Sequence, residues 1–185
     1  MAPLGAGKVG LFAAAGGGVA TGAGYFGGGD TGSKVDTVDK FAFPNGSRST
    51  LGTGLSSVRH VLAAMANSGT AGYFGGGYTP SNVSTVDKFD FSDDSRSTLG
   101  TGLSSARHAP AGMANSGTAG YFGGGYTGSR VDTVDKFAFS DDSRTTLGTG
   151  LSAARNYLAG MANSGTAGYF GGGDTGSKVD TVDKF

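Results

Sequence analysis

The chain has 185 residues, with 14 basic and 14 acidic side chains, two histidines and no net charge at pH 7. That balance gives nucleic acid and anionic membrane surfaces no electrostatic hold, so neither is expected as a partner. Cysteine is absent, which removes disulfides, thiolate metal sites and cysteine nucleophiles together. Every acid is an aspartate, and Glu, Gln, Ile and Trp do not occur. So narrow an alphabet suggests recent duplication or deliberate design. Glycine reaches 38 residues, so any core must rely on Ala, Met, Tyr and Phe packed against backbones that approach closely.

From the N-terminus, residues 9–20 follow Lys8 as a glycine-rich apolar run that faintly imitates a signal peptide, but they lie in register with the repeat that follows. No apolar run approaches the roughly 20 residues of a membrane helix. Gly5-Ala6-Gly7-Lys8-Val9-Gly10 and Gly22-Ala23-Gly24-Tyr25-Phe26-Gly27 both match the dinucleotide fingerprint literally. That fingerprint works only between a strand and a helix, a context neither copy has, so no nucleotide cofactor is expected.

The second of these runs belongs to a larger pattern. The heptapeptide Ala-Gly-Tyr-Phe-Gly-Gly-Gly begins at Ala23, Ala71, Ala119 and Ala167, a spacing of 48 residues without drift. Residues 65–104 and 113–152 differ at five positions: Pro80/Gly128, Asn82/Arg130, Ser84/Asp132, Asp90/Ala138 and Ser97/Thr145. A fixed period of this length means a repeat architecture. Within one period every segment reads as strand. Residues 60–67 are short and alanine-rich, and Ala71-Gly72-Tyr73-Phe74-Gly75 ends in glycines. Residues 83–91 alternate β-branched, charged and aromatic side chains, and residues 96–99 are short and polar. Turn residues separate them at Asn67-Ser68-Gly69, Pro80-Ser81-Asn82, Ser92-Asp93-Asp94-Ser95 and Gly100-Thr101-Gly102. Four short antiparallel strands per period suit one blade of a β-propeller. The alanine-rich strand would line the narrow centre, and the polar one would lie outermost.

These residues resemble the kelch repeat, the propeller family that includes the galactose oxidase central domain. The resemblance rests on an arginine before the inner strand (Arg59, Arg107, Arg155), the tyrosine strand ending in glycines, and the aromatic-bearing third strand. It implies four kelch-like blades in one domain, residues 1–185, with units near 8–55, 56–103, 104–151 and 152–185. Two departures stand out. Leu51, Leu99 and Leu147 lie near the place of the family's fourth-strand tryptophan, and Leu11 stands where the first arginine should be. The sequence ends within a third strand, and Pro3-Leu4-Gly5-Ala6-Gly7 is similar to Thr50-Leu51-Gly52-Thr53-Gly54. Residues 1–7 are therefore expected to supply the outer strand of the last blade. The closure would be within one chain, or between two chains that form eight blades, which would also hide unpaired strand edges.

The candidate chemistry is sparse. His60 and His108 occupy one position in successive repeats, taken by Phe12 and Asn156 in the others. Two imidazoles without a third ligand are better read as a polar rim than as a metal site. The Asp93-Asp94 and Asp141-Asp142 turns give way to Asn45-Gly46 in the first copy, so hydrated hairpins are expected there rather than calcium. Asn45 and Asn82 open glycosylation sequons, meaningful only in a secreted eukaryotic protein. The copper chemistry of galactose oxidase needs a cysteine and is excluded.

The resemblance further implies a channel rim. Arg59, Arg107 and Arg155 would grip an acidic ligand there, beside His60, His108, Tyr78 and Tyr126, with Asp30 and Asp174 on the same face. The alternative is that the arginines are structural. The expected function is a non-catalytic structural or protein-interaction propeller, self-associating or bound to another protein. The near-identity of the repeats suits a symmetric virion or surface assembly, or a designed repeat protein. The alternative is a carbohydrate-binding or carbohydrate-processing propeller.

Overall fold

The structure, a computed structural model, describes residues 22–43, 45–163 and 165–185. The first unit contains β1 (Ala23–Asp30), β2 (Lys34–Ala42) and β3 (Arg48–Thr50). The second contains β4 (Ala63–Asn67), β5 (Ala71–Gly75), β6 (Val86–Asp90) and β7 (Arg96–Thr98). The third has β8 (Ala111–Asn115), β9 (Ala119–Gly123), β10 (Val134–Ala138) and β11 (Arg144–Thr146). The fourth has β12 (Ala159–Asn163), β13 (Ala167–Gly171) and β14 (Val182–Lys184). The protein is all-β: each unit is an antiparallel meander of three or four strands in chain order, and none of the four sheets closes on itself. Among the described residues there is no helix. The expected closing strand within residues 1–7, the run at residues 9–20 and the first glycine fingerprint all lie outside the described residues. The second fingerprint lies on β1, which leads through a hairpin into β2 with no helix to meet a phosphate.

The strand positions follow the sequence pattern, with two trims that have a backbone cause. The inner strand starts at Ala63 rather than His60 because the chain kinks at Val61, whose φ is 54°; Ala109 and Tyr157 repeat the kink at 53° and 56°. A left-handed conformation at a non-glycine residue costs free energy unless its surroundings hold it. Here the kinks hold each other: Ala109 N–H donates to the Val61 carbonyl and Tyr157 N–H to the Ala109 carbonyl. The third strand starts at Val86 because the residues before it bond to the glycine run, Val83 N–H to the Gly77 carbonyl and Gly76 N–H to the Thr85 carbonyl.

Alternation along β5 gives each sheet two distinct faces. Tyr73 lies on a leading face toward the next unit, where it stacks on Phe139 at 5.4 Å; Tyr25 stacks on Phe91 at 4.8 Å in the same way. Phe74 lies on the trailing face and meets the preceding unit at Gly27, and Phe122 and Phe170 meet Gly75 and Gly123 likewise. A Cβ on Gly75 would come within 2.6 Å of the Phe122 ring, so the glycine is the hollow that the phenyl fills. Met65 and Met113 leave the leading face to lie over Gly120 and Gly168. The inner strands converge most tightly: a Cβ on Gly112 would fall on the Ala64 carbonyl, and one on Gly160 on the Gly112 carbonyl. The apolar core therefore lies between sheets, running through Tyr25, Val38, Met65, Tyr73, Phe74, Val86 and Phe89 and on to Phe122 and Phe137.

Candidate functional site: the arginine pairs and the histidine–tyrosine face

Arg59 and Arg107 have no exposed surface, and each guanidinium faces an aspartate on the third strand of its own unit. Arg59 Nη2 lies 2.8 Å from Asp87 Oδ2, and Arg107 Nη2 lies 2.9 Å from Asp135 Oδ2. The same nitrogens donate to the carbonyls of Phe74 and Phe122. Asp87 is satisfied on both oxygens. Ser56 donates its N–H and hydroxyl to Oδ2 at 2.8 and 2.9 Å, and Thr98 donates to Oδ1 at 2.6 Å. Ser104 and Thr146 serve Asp135 in the same way. Burial pushes the Asp87 carboxyl up, but hydrogen bonds from Thr98 and Ser56 and the charge of Arg59 outweigh it, leaving it below the ordinary carboxylate value. Asp135 is lowered on the same balance. Arg155 repeats the pair with Asp183 less completely, since that carboxylate keeps 14% of its side-chain surface exposed. In the first unit Asp39 bonds Arg48 and Thr50, the counterparts of the Arg96 and Thr98 that meet the other oxygen of Asp87.

The arginines therefore do not sit on a rim where a ligand could reach them. They lock the linking segment between units onto the sheet that follows, while their backbone carbonyls take the N–H groups of Gly29, Gly77 and Gly125. The aspartates were not singled out from the sequence. Their signal is an acid repeated in the middle of a strand, Asp39, Asp87, Asp135 and Asp183, where aspartate is unfavourable unless paired.

The remaining predicted residues do come together. His60, Tyr78, His108 and Tyr126 form one half-buried row at one end of the sheets. The Tyr78 ring meets His60 edge-on at 5.8 Å and His108 at 5.7 Å, and His108 lies 5.4 Å from Tyr126. His60 Nδ1 lies 3.0 Å from the Tyr78 carbonyl, so it carries the proton and donates. Asn82 donates its amide to the Tyr126 carbonyl, which leaves its oxygen to accept from His108 Nδ1 at 2.7 Å. Burial, helped by the nearby His60, lowers the His108 pKa and favours the neutral ring. Each unit reaches the next along this row. Lys34 Nζ lies 5.5 Å from the Tyr78 ring centre, Asn82 bonds Tyr126, and Arg130 Nη2 pairs with Asp174 at 2.8 Å. Asp174 is held down to about 2 by Lys178 and the Gly176 N–H, with Arg130 adding to it. Asn82, a sequon residue, is thus engaged in this network, whereas Asn45 is exposed.

The acidic turns likewise serve contacts between units. Asp94 accepts from the Tyr25 hydroxyl at 2.6 Å and pairs with Lys40, and Asp142 does the same for Tyr73 and Lys88. Burial and the Asp94 hydrogen bond push the Tyr25 phenol up to about 12. Asp94 and Asp142 adopt φ of 61° and 57°, where the first unit has Gly46 at 66°. Among the described residues no group of three or more His, Asp or Glu side chains is placed to hold a metal.

Fold and site together define an all-β repeat protein of stacked antiparallel sheets. No protein-family model matches the chain, and no curated protein matches it significantly.

Proposed function

We propose that the chain is a non-catalytic structural and protein-interaction module, a β-propeller-type array of kelch-like units that binds protein or associates with itself. The observation that carries this reading is where the reactive side chains are used. The Tyr–Lys–Asp clamps fasten unit 1 to unit 2 and unit 2 to unit 3, and the arginine–aspartate pairs, recurring at the unit period, lock each linking segment onto its own sheet. The close convergence of the inner strands at Gly112 and Gly160 supports the propeller geometry, because a radial array needs small residues where backbones meet.

One observation favours a second reading, a carbohydrate-binding propeller. Tyr78 and Tyr126 are half-buried aromatic platforms interleaved with hydrogen-bonding imidazoles, a surface suited to sugar rings. A glycan array separates the two. The structural reading expects no specific sugar. A specific sugar signal that is lost on Tyr126→Ala, with folding unchanged by circular dichroism, replaces it with the carbohydrate reading.

A further inference from the structure

All three junctions between consecutive units seat a phenylalanine in a glycine hollow and carry a contact from residue 34, 82 or 130 to the next unit, and the two outer faces carry the halves of a fourth. On the leading face of unit 4, Met161 is 68% exposed and Val182 is 62% exposed, although their counterparts at the internal junctions are buried. Among the described residues, Gly171, the counterpart of Gly27, Gly75 and Gly123, has only Val182 near its missing Cβ, at 3.6 Å. No described phenyl ring fills this hollow as one does three times inside the chain. On the trailing face of unit 1, Phe26 occupies the place of Phe74, Phe122 and Phe170. It is half-buried and packs edge-on against Phe41 of its own sheet at 5.3 Å. Charge is complementary as well. At the internal junctions residue 34, 82 or 130 reaches residue 78, 126 or 174 of the next unit. The same step carries Lys178 to Asp30, and both of these residues are exposed.

We propose that the leading face of unit 4 is a docking surface for the trailing face of unit 1 of a second copy of this chain. Phe26 enters the hollow at Gly171, and Lys178, paired with Asp174 in its own unit, extends that pair to Asp30. The interface is heterologous, so two copies close head to tail into a ring of eight units, or further copies extend the array. One internal contact has no counterpart. Tyr169 and Lys184 would face Asn45 and Gly46, where the first two internal junctions present Asp94 and Asp142. The junction between copies is therefore weaker than those two, and assembly is reversible. This inference rests on the reading of the chain as a self-associating module. A sugar that binds through Tyr126 would overturn that reading without touching this face.

Sedimentation velocity over a dilution series, with light scattering for mass, tests the proposal. The wild-type chain is expected at twice 18.2 kDa or a higher multiple, dissociating on dilution. Phe26→Ala and Gly171→Val should each weaken association by about tenfold or more, the loss typical of a central anchor. Both should leave the circular dichroism of the single chain unchanged, because Gly171 has room for a side chain there. Mixing the two variants restores one intact junction and should yield a heterodimer that neither forms alone. Gly46→Asp places a carboxylate on a backbone like that of Asp94 and should tighten assembly. A wild-type chain that stays monomeric throughout, or assembly indifferent to Phe26→Ala and Gly171→Val, overturns the proposal. Unchanged or looser assembly of Gly46→Asp overturns the register.

Discussion

Met65 in unit 2 and Met161 in unit 4 occupy the same place in the repeat, yet one is 1% exposed and the other 68%. Val86 and Val182 differ as widely, at 0% and 62%. The hairpins around them have the same register, Met65 opposite Tyr73 and Met161 opposite Tyr169. Local sequence thus sets the strand pairing in both units, and the presence of a following unit sets the burial. This is the nearest-neighbour behaviour of a repeat array, in which stability is a sum of unit and junction contributions. It also locates the apolar free energy. At roughly 25 cal/mol per Å² of apolar surface removed from water, the gain comes where one leading face meets one trailing face.

Arginine replacement should show the largest difference between internal and terminal units. Arg107→Ala strips a fully buried Asp135 of its closer cation, leaving Arg144 at 3.5 Å, and should cost about 3 kcal/mol of unfolding free energy in urea. Arg155→Ala should cost visibly less, because water reaches Asp183 and screens it. Equal losses would mean that the pairs do not act through burial.

Next comes the hollow. Gly75→Ala drives a methyl group into the Phe122 ring and should cost about 1–3 kcal/mol, the range for overpacking. Gly171→Ala, measured under dilute conditions, should change stability by less than about 0.5 kcal/mol, as surface substitutions do.

The smallest effect is a pH dependence confined to internal junctions. The Tyr25 phenol is raised in the folded state, so its contribution is complete below the ordinary tyrosine value of about 10 and is lost as pH rises through about 12. Absorbance titration should show Tyr25 and Tyr73 ionising last, and Asp94→Asn should bring Tyr25 earlier. Asp87 and Asp135, lowered on folding, behave in the opposite sense. Their contribution is present above about pH 4 and is lost as pH falls through their folded values.

Much of this molecule is written in short-range pattern. The tyrosine strand and its glycines gave β5 residue for residue, and the alternating third strand gave β6 within a stretch three residues longer at its start, because alternation and glycine positions are local physics. The opposite facing of Tyr73 and Phe74 follows from the same period of two. His60, Tyr78, His108 and Tyr126 could be grouped because they recur at fixed offsets in successive units. The arginines could not be placed this way. Arg59 and Asp87 are separated by 28 residues, and only the folded sheet shows that they meet out of water. A periodic arginine reads equally well as a rim or as a buried lock. What decided it was desolvation: a guanidinium held between a carboxylate and a backbone carbonyl has no surface left for a ligand. The same distinction governs the glycines. Sequence marks Gly75 and Gly171 as one residue repeated, while the packed structure makes one a filled hollow and the other an open one, because burial depends on the unit that stands opposite.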